Sequence, residues 1–165
     1  MRRQILAPVT AGVLLALAGT AQAATKTTTF TVSATVVENC VISAADMNLG
    51  NFFGDNDLNA TSDITVRCTN GTDFTVNLSP GSSGNPLSRT LKNGAQSLVY
   101  NLYTDDARSK VWGDGLGGTF NDGGLGGGMA VVRTLTVRGQ LLASANTGPV
   151  DVGLYTDSII ATINY

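Results

Sequence analysis

The sequence predicts an all-β protein, an antiparallel β-sandwich of the immunoglobulin-like kind. Apolar and polar residues alternate with period two over several short stretches, as in strands that bury one face. Gly, Asn, Asp and Pro separate these stretches, which is typical of sandwich turns. The chain shows no convincing amphipathic helical stripe. Its 165 residues are 42% hydrophobic, so we expect one domain with enough apolar surface to oppose chain entropy.

Residues 1–23 are predicted to be a secretory signal peptide and not part of the fold. Arg2 and Arg3 precede an apolar stretch from Ile5 to Ala18, and Ala21-Gln22-Ala23 forms an A-x-A cleavage site. This apolar stretch is shorter than the roughly 18 residues that a transmembrane helix needs. Cleavage leaves 142 residues with a formal net charge of −4. We therefore expect an exported bacterial protein whose mature chain does not insert into a membrane.

The composition argues against most enzyme classes and against nucleic-acid binding. The chain has no histidine, which excludes Ser-His-Asp and Cys-His catalysis. No cluster of basic residues provides the positive surface that nucleic acids require. Cys40 and Cys68 are the only cysteines, and export to an oxidising compartment predicts a structural disulfide between them. No C-x-x-C motif points to a redox or metal site.

No motif supports a cofactor or a metal ion. Gly113, Gly115 and Gly118 fit a G-x-G-x-x-G pattern, but further glycine follows where the dinucleotide motif needs a helix. The stretch from Asp55 to Asn59 begins like a calcium loop, but Ala60 stands where that loop needs glycine. We expect neither a cofactor, a metal site nor an enzyme.

The clearest strand pattern lies near the start of the mature chain, over Thr27–Val37. Alternation places four apolar side chains on one face and threonine and serine on the other. These four residues are Phe30, Val32, Ala34 and Val36. Further strands are predicted at Asp63–Cys68, around Phe74, Val76 and Leu78, and at Ser97–Thr104, Met129–Gln140 and Ser158–Tyr165. Nine of the sixteen residues from Gly113 to Gly128 are glycine, which predicts a flexible loop.

Two of these strands suggest an incomplete sandwich. The apolar strand Ser158–Tyr165 is the last one predicted, and nothing after it would cover its neighbour. A sandwich without its last strand exposes an apolar groove and an unpaired edge, which a strand donated by another chain can complete. The N-terminal segment 24–37 has the pattern of such a donor, and residues 38–165 would then form the incomplete domain.

Two stretches of the chain resemble the signature of the spore coat protein U family, which includes Csu-type pilins of the archaic chaperone–usher pathway. The first runs from Leu98 to Arg108 (LVYNLYTDDAR) and continues in Val111–Gly115 (VWGDG). The second runs from Gly153 to Asp157 (GLYTD) and leads into Ile160–Tyr165 (IATINY). The combination of the Tyr-x-Leu-Tyr-x-Asp and Trp-Gly-Asp-Gly elements makes the resemblance specific, and it covers essentially the whole mature chain.

The resemblance implies a structural subunit with an incomplete immunoglobulin-like fold. In such pilins a periplasmic chaperone supplies the missing strand until, at the outer-membrane usher, the next subunit replaces it by donor-strand exchange. By position, the donor residues would be Phe30, Val32, Ala34 and Val36. The strand bordering the acceptor groove would present Ile159, Ala161, Ile163 and Tyr165, or the opposite face. The polymer would be a surface fimbria of identical or related subunits, supporting adhesion or biofilm formation.

A second hypothesis is a self-complemented secreted coat protein that forms no pili. In that case Thr27–Val37 would fold back into the sandwich of its own chain. It predicts a soluble, heat-stable monomer, whereas the pilin hypothesis predicts a polymer. The sequence leaves both hypotheses open.

Overall fold

The computed structural model describes residues 22–165, so the predicted signal peptide lies almost entirely outside the described residues. The chain divides into two units, with the boundary between Thr35 and Val36. Of the first unit, residues 22–35 are described; they contain neither helix nor strand, and all are exposed. Within residues 22–165, no helix has the length and apolar character needed to cross a membrane.

The second unit, Val36–Tyr165, is built from short strands joined by turns. Two single-turn 3₁₀ helices, Gly81–Ser83 and Ala143–Ala145, interrupt the connections. The eight strands of this unit are β1 (Cys40–Ala44), β2 (Leu58–Cys68), β3 (Asp73–Leu78), β4 (Arg89–Asn93), β5 (Gln96–Tyr103), β6 (Asp122–Leu125), β7 (Arg133–Leu141) and β8 (Ala161–Asn164).

The strands form two antiparallel sheets. One has five strands in the order β1-β2-β7-β5-β4, and the other has three in the order β6-β3-β8. Every pairing between named strands is antiparallel. The predicted all-β sandwich is confirmed. Strands β1 and β8 each lie at the end of a sheet, so each has one backbone edge without a neighbouring strand.

The core lies between the inner faces of the two sheets, where period two predicts it. The alternate residues of β3 and β5 are at most 6% exposed: Phe74, Val76, Leu78, Leu98, Tyr100 and Leu102. Residues of β2 and β7 complete the same cluster. The only tryptophan of the chain, Trp112, is fully buried and donates its Nε1–H to the Val76 carbonyl at 2.8 Å. The indole thereby ties the segment after β5 to the opposite sheet.

The predicted disulfide between Cys40 and Cys68 is present. The two residues lie directly opposite each other on the paired strands β1 and β2. Cys68 is fully buried and belongs to the core cluster. The bond therefore fixes the edge strand β1 to the rest of its sheet.

The prediction of a flexible loop over Gly113–Gly128 is wrong, because β6 lies within it and pairs with β3. A Cβ atom on Gly123 would collide with the Phe74 carbonyl, and one on Gly126 would collide with the Thr69 carbonyl. At these two positions glycine is required because another backbone passes very close. Gly117, Gly118 and Gly128 instead have positive φ and nothing within 4 Å of an added Cβ atom.

The other differences concern strand limits. The strand predicted over Thr27–Val37 is not formed, since a strand exists only where a neighbour accepts its backbone hydrogen bonds. Strand β8 is shorter than Ser158–Tyr165, and β7 begins after a turn in which the Val131 amide donates to the Gly128 carbonyl. Strands β1 and β4 were not predicted at all.

Candidate functional site

An apolar groove opens on one side of the sandwich, between the edge strand β1 and the edge strand β8. Its first cavity has a volume of about 410 Å³. Core side chains of four strands form its floor: Ile64, Leu78, Leu102 and Val137. The residues leading into β8 and the start of β8 form one wall. These side chains are only 3–6% exposed, so the groove lies directly over the core.

The groove continues into a second cavity of about 880 Å³ towards the far ends of β2 and β7. Leu58, Leu98 and Leu141 line this part, and residues 150–156 form its outer wall. The two cavities have four lining residues in common, namely Met47, Leu49, Leu91 and Asp157. They are therefore one continuous site, called here the open groove.

The residues predicted for the acceptor edge divide into three groups. Ile159 and Ala161 are half-buried and line the open groove, whereas Ile163 is half-buried and packs against the core. Tyr165 is 56% exposed at the end of the strand. The opposite face of this segment points outward, and Ile160, just before β8, is 67% exposed. The inward face is thus the one with Ile159 and Ala161, and its role as an acceptor edge stays a prediction.

The backbone of β8 has one edge without a partner strand. Asn77 pairs with Thr162, and the Ser79 amide donates to the Ile160 carbonyl at 2.9 Å. Alternate residues of an antiparallel strand bond to the same neighbour. The backbone groups of Ile159, Ala161 and Ile163 are therefore directed to the other edge, where the three-stranded sheet ends.

The second wall of the open groove is the chain that follows β1, which the sequence pattern does not predict. The Ala45 amide donates to the Asp63 carbonyl at 3.0 Å, and the Ser62 hydroxyl donates to the Ala45 carbonyl at 2.7 Å. Met47 packs over Gly139 of β7, where a Cβ atom would collide with its sulfur. The glycine in the middle of β7 is the only sequence signal for this contact.

A polar pair lies where the two cavities meet. The Tyr100 hydroxyl donates to Oδ2 of Asp157 at 2.8 Å. Oδ1 of Asp157 accepts the Ser82 amide at 2.8 Å and the Ser158 amide at 2.9 Å. Burial, together with the hydrogen bond to Asp157, raises the pKa of the Tyr100 phenol. Gly81 is required beside this pair, because a Cβ atom there would collide with the Asp157 carboxylate.

Arg89 lies behind this pair and is fully buried. Its guanidinium donates to Oδ1 of Asn101 and to three backbone carbonyls, at distances from 2.7 to 3.1 Å. The three carbonyls belong to Ser79, Pro86 and Trp112. Burial lowers the pKa of Arg89. The signature residues Asn101 and Trp112 thus help to build the framework under the open groove.

The predicted donor residues are all exposed. Phe30, Val32 and Val36 have 86%, 82% and 86% of their surface accessible, and Ala34 is exposed as well. Their role as donor residues stays a prediction. Residues 22–165 hold no group of three or more His, Cys, Asp or Glu side chains that could bind a metal ion. The site offers apolar cavities and a free strand edge, which together suit an extended peptide segment.

The comparison with solved structures shows the fold. The chain is similar to a chain in the crystal structure of the CsuC–CsuE chaperone–tip adhesion subunit pre-assembly complex from the archaic chaperone-usher Csu pili of Acinetobacter baumannii. The TM-score is 0.55 at 22% sequence identity, over 79% of this chain and 40% of the other. This chain thus spans less than half the length of that one.

No curated protein matches the sequence. The family model of the Spore Coat Protein U domain, however, matches residues 26–162. This match includes the segment before β1, all of β1 to β7 and the groove-lining start of β8. The expected resemblance is confirmed: the chain belongs to the Spore Coat Protein U domain family.

Proposed function

We propose that the protein is a structural pilin subunit that polymerises into surface fimbriae by donor-strand exchange. In this proposal, the segment 24–37 of each incoming copy enters the open groove of the preceding copy and pairs with the free edge of β8. The chain acts by assembly and not by catalysis. The fimbria would support adhesion or biofilm formation on the bacterial surface.

The open groove is the single observation that carries the proposal. Its apolar floor lies between two sheet edges, and the β8 edge has backbone groups directed away from β3. An added strand would satisfy these groups, and its alternate side chains would fill the two cavities. A monomer that left such an edge open would be prone to aggregation.

The segment 24–37 has the side chains that this groove needs. Phe30, Val32 and Val36 are exposed and share one face of an extended chain. Burying each of them contributes about 1.5–3 kcal/mol before ordering costs. Threonine and serine on the other face would remain towards solvent. Because many backbone bonds must break together, the assembled polymer should dissociate very slowly.

The similarity to a chaperone–subunit complex supports a periplasmic chaperone as the first partner. A chaperone strand would cover the open groove until an outer-membrane usher exchanged it for the next subunit. The predicted signal peptide provides the export that this route requires. The disulfide between Cys40 and Cys68 fits the same oxidising compartment.

The proposal is tested by placing a charge on the inserted face of the donor in the full chain, expressed in its native host. Val32→Asp would place a carboxylate in an apolar cavity, and we expect SDS-resistant polymers to disappear while chaperone-bound subunit accumulates. Thr31→Asp is the matched control, because position 31 lies on the other face and should leave polymers intact.

Deletion of residues 24–37 separates the two hypotheses. A pilin without its donor still binds the chaperone but cannot add to the preceding subunit. Normal fimbriae from the deletion would overturn the proposal. A wild-type chain that purifies alone as a heat-stable monomer in size-exclusion chromatography would instead indicate the self-complemented coat protein.

A further inference from the structure

We infer that the Tyr100–Asp157 pair sets the register of the incoming segment by admitting only a small side chain, Ala34, at the junction of the two cavities. This inference rests on the proposed function and adds to it which donor residue lies at which position of the groove. In this register Ala34 lies opposite Asp157, Val32 opposite Ile159 and Phe30 opposite Ala161.

One wall of the open groove carries a carboxylate beside apolar side chains. The inward-facing residues leading into and along β8 are Asp157, Ile159 and Ala161, two positions apart. Asp157 differs from the other two because its side chain is a carboxylate, and it lines both cavities. A bulky apolar side chain pressed against it would remove water from the carboxylate without replacing those hydrogen bonds. A methyl group leaves room for hydration.

Asp157 cannot move aside. Its carboxylate accepts hydrogen bonds from the Tyr100 hydroxyl and from the amides of Ser82 and Ser158, all between 2.8 and 2.9 Å. Tyr100 is only 6% exposed, so the phenol is itself fixed by the core. The junction is therefore rigid, and it lies between cavities of about 410 and 880 Å³.

The side chains on the donor face differ in size in a definite order. Two large side chains, Phe30 and Val32, come before the small Ala34, and one large side chain, Val36, follows it. Antiparallel neighbours are the commoner arrangement, and side chains directly opposite each other lie on the same face. With Ala34 at Asp157, Val36 reaches the second cavity beside Tyr155.

Shifting the register by two residues loses this complementarity. One shift places Val32 on Asp157, and the other places Val36 there. In the inferred register the largest donor side chain, Phe30, instead faces the smallest wall residue, Ala161. In the pairs Ala34–Asp157 and Phe30–Ala161, a large side chain faces a small one. Both pairs therefore favour the same register.

The test is a graded series at position 34 in the full chain, with polymers heated in SDS and the rate of subunit release measured. Release should quicken about ten-fold or more for Ala34→Leu and change little for Ala34→Ser. Ser33→Leu is the matched control, because it adds a similar volume on the solvent face. Equal release rates for Ala34→Leu and wild type would overturn the register.

The acceptor side gives an independent readout. Asp157→Ser shortens the side chain at the junction, so it should restore slow release to the Ala34→Leu polymer. Failure to restore it in a polymer that still assembles would overturn the role of Asp157. If Asp157→Ser does not fold, the release rates of Ala34→Leu and Ser33→Leu alone decide whether the register is correct. Absence of any wild-type polymer would contradict the proposed function itself, together with this inference.

Discussion

Arg89 donates Nη1–H to Oδ1 of Asn101 at 2.9 Å, and both side chains are buried. The Asn101 side chain in turn donates Nδ2–H to the Leu87 carbonyl at 2.9 Å. The remaining guanidinium bonds go to the Ser79, Pro86 and Trp112 carbonyls. The direct hydrogen-bond partners of this buried cation are thus all neutral, at the point where β4, β5 and the segment around Trp112 come together.

Arg89→Lys should destabilise the protein although it keeps the charge. An ammonium has three donors and lacks the planar geometry of guanidinium, so buried acceptors would lose their partners. We expect the free energy of unfolding to fall by about 3 kcal/mol. Urea denaturation followed by the fluorescence of Trp112 measures it. Arg67→Lys, at an exposed position of β2, should change it by less than about 0.5 kcal/mol; equal effects would contradict this account.

Removal of the disulfide should also destabilise the fold. The bond joins residues 28 apart in sequence. Closing a loop of this size stabilises the native state by about 3.5 kcal/mol in the chain-entropy model. Adding dithiothreitol should therefore lower the melting temperature of wild type, as should the double substitution Cys40→Ser, Cys68→Ser. The double variant is its own control, since dithiothreitol should not affect it further.

The alternation of apolar and polar side chains predicts which residues of the regular strands are buried. Phe74, Val76 and Leu78 are buried because period two places them on the inner face of β3. Strand β4 contains a buried arginine, and β6 reads Asp-Gly-Gly-Leu, so neither carries an alternating apolar pattern. Their positions depend on a hydrogen-bond network and on close backbone approach, which only the tertiary fold creates.

The open groove could be predicted in part for the same reason. Ile159 and Ala161 follow from alternation along the last strand, and the structure places both on the groove wall. The wall after β1 and the Tyr100–Asp157 pair could not be predicted. Their residues are distant in sequence, and their contacts exist only once both sheets have formed.

The stability should depend on pH in the alkaline range through Tyr100. Burial and the hydrogen bond to Asp157 raise its pKa above the ordinary value of 10.0. The folded protein therefore keeps the phenol proton after the unfolded chain has released it. This contribution is complete below about pH 10 and is lost as the pH rises further. We expect the free energy of unfolding of wild type to fall from pH 10 upward.

Tyr100→Phe should show a shallower decline over the same range, measured by urea denaturation at successive pH values. It should also be less stable at neutral pH by about 1 kcal/mol, because the hydrogen bond to Asp157 is lost. Tyr165→Phe, at a residue that is 56% exposed, controls for the removal of a phenol elsewhere. Identical alkaline slopes for wild type and Tyr100→Phe would contradict the assignment to Tyr100.

Gly123→Ala should disrupt the pairing of β6 with β3. The added methyl group would meet the Phe74 carbonyl and come within 2.9 Å of the Thr75 Cα, both of which are backbone atoms that cannot turn away. We expect the free energy of unfolding to fall by about 3 kcal/mol. Gly148→Ala is the matched control, since nothing lies within 4 Å of its added Cβ atom. Hydrogen exchange of the β3 amides should quicken only in Gly123→Ala; unchanged exchange there would mean that β6 tolerates a side chain and that glycine is not required for its packing.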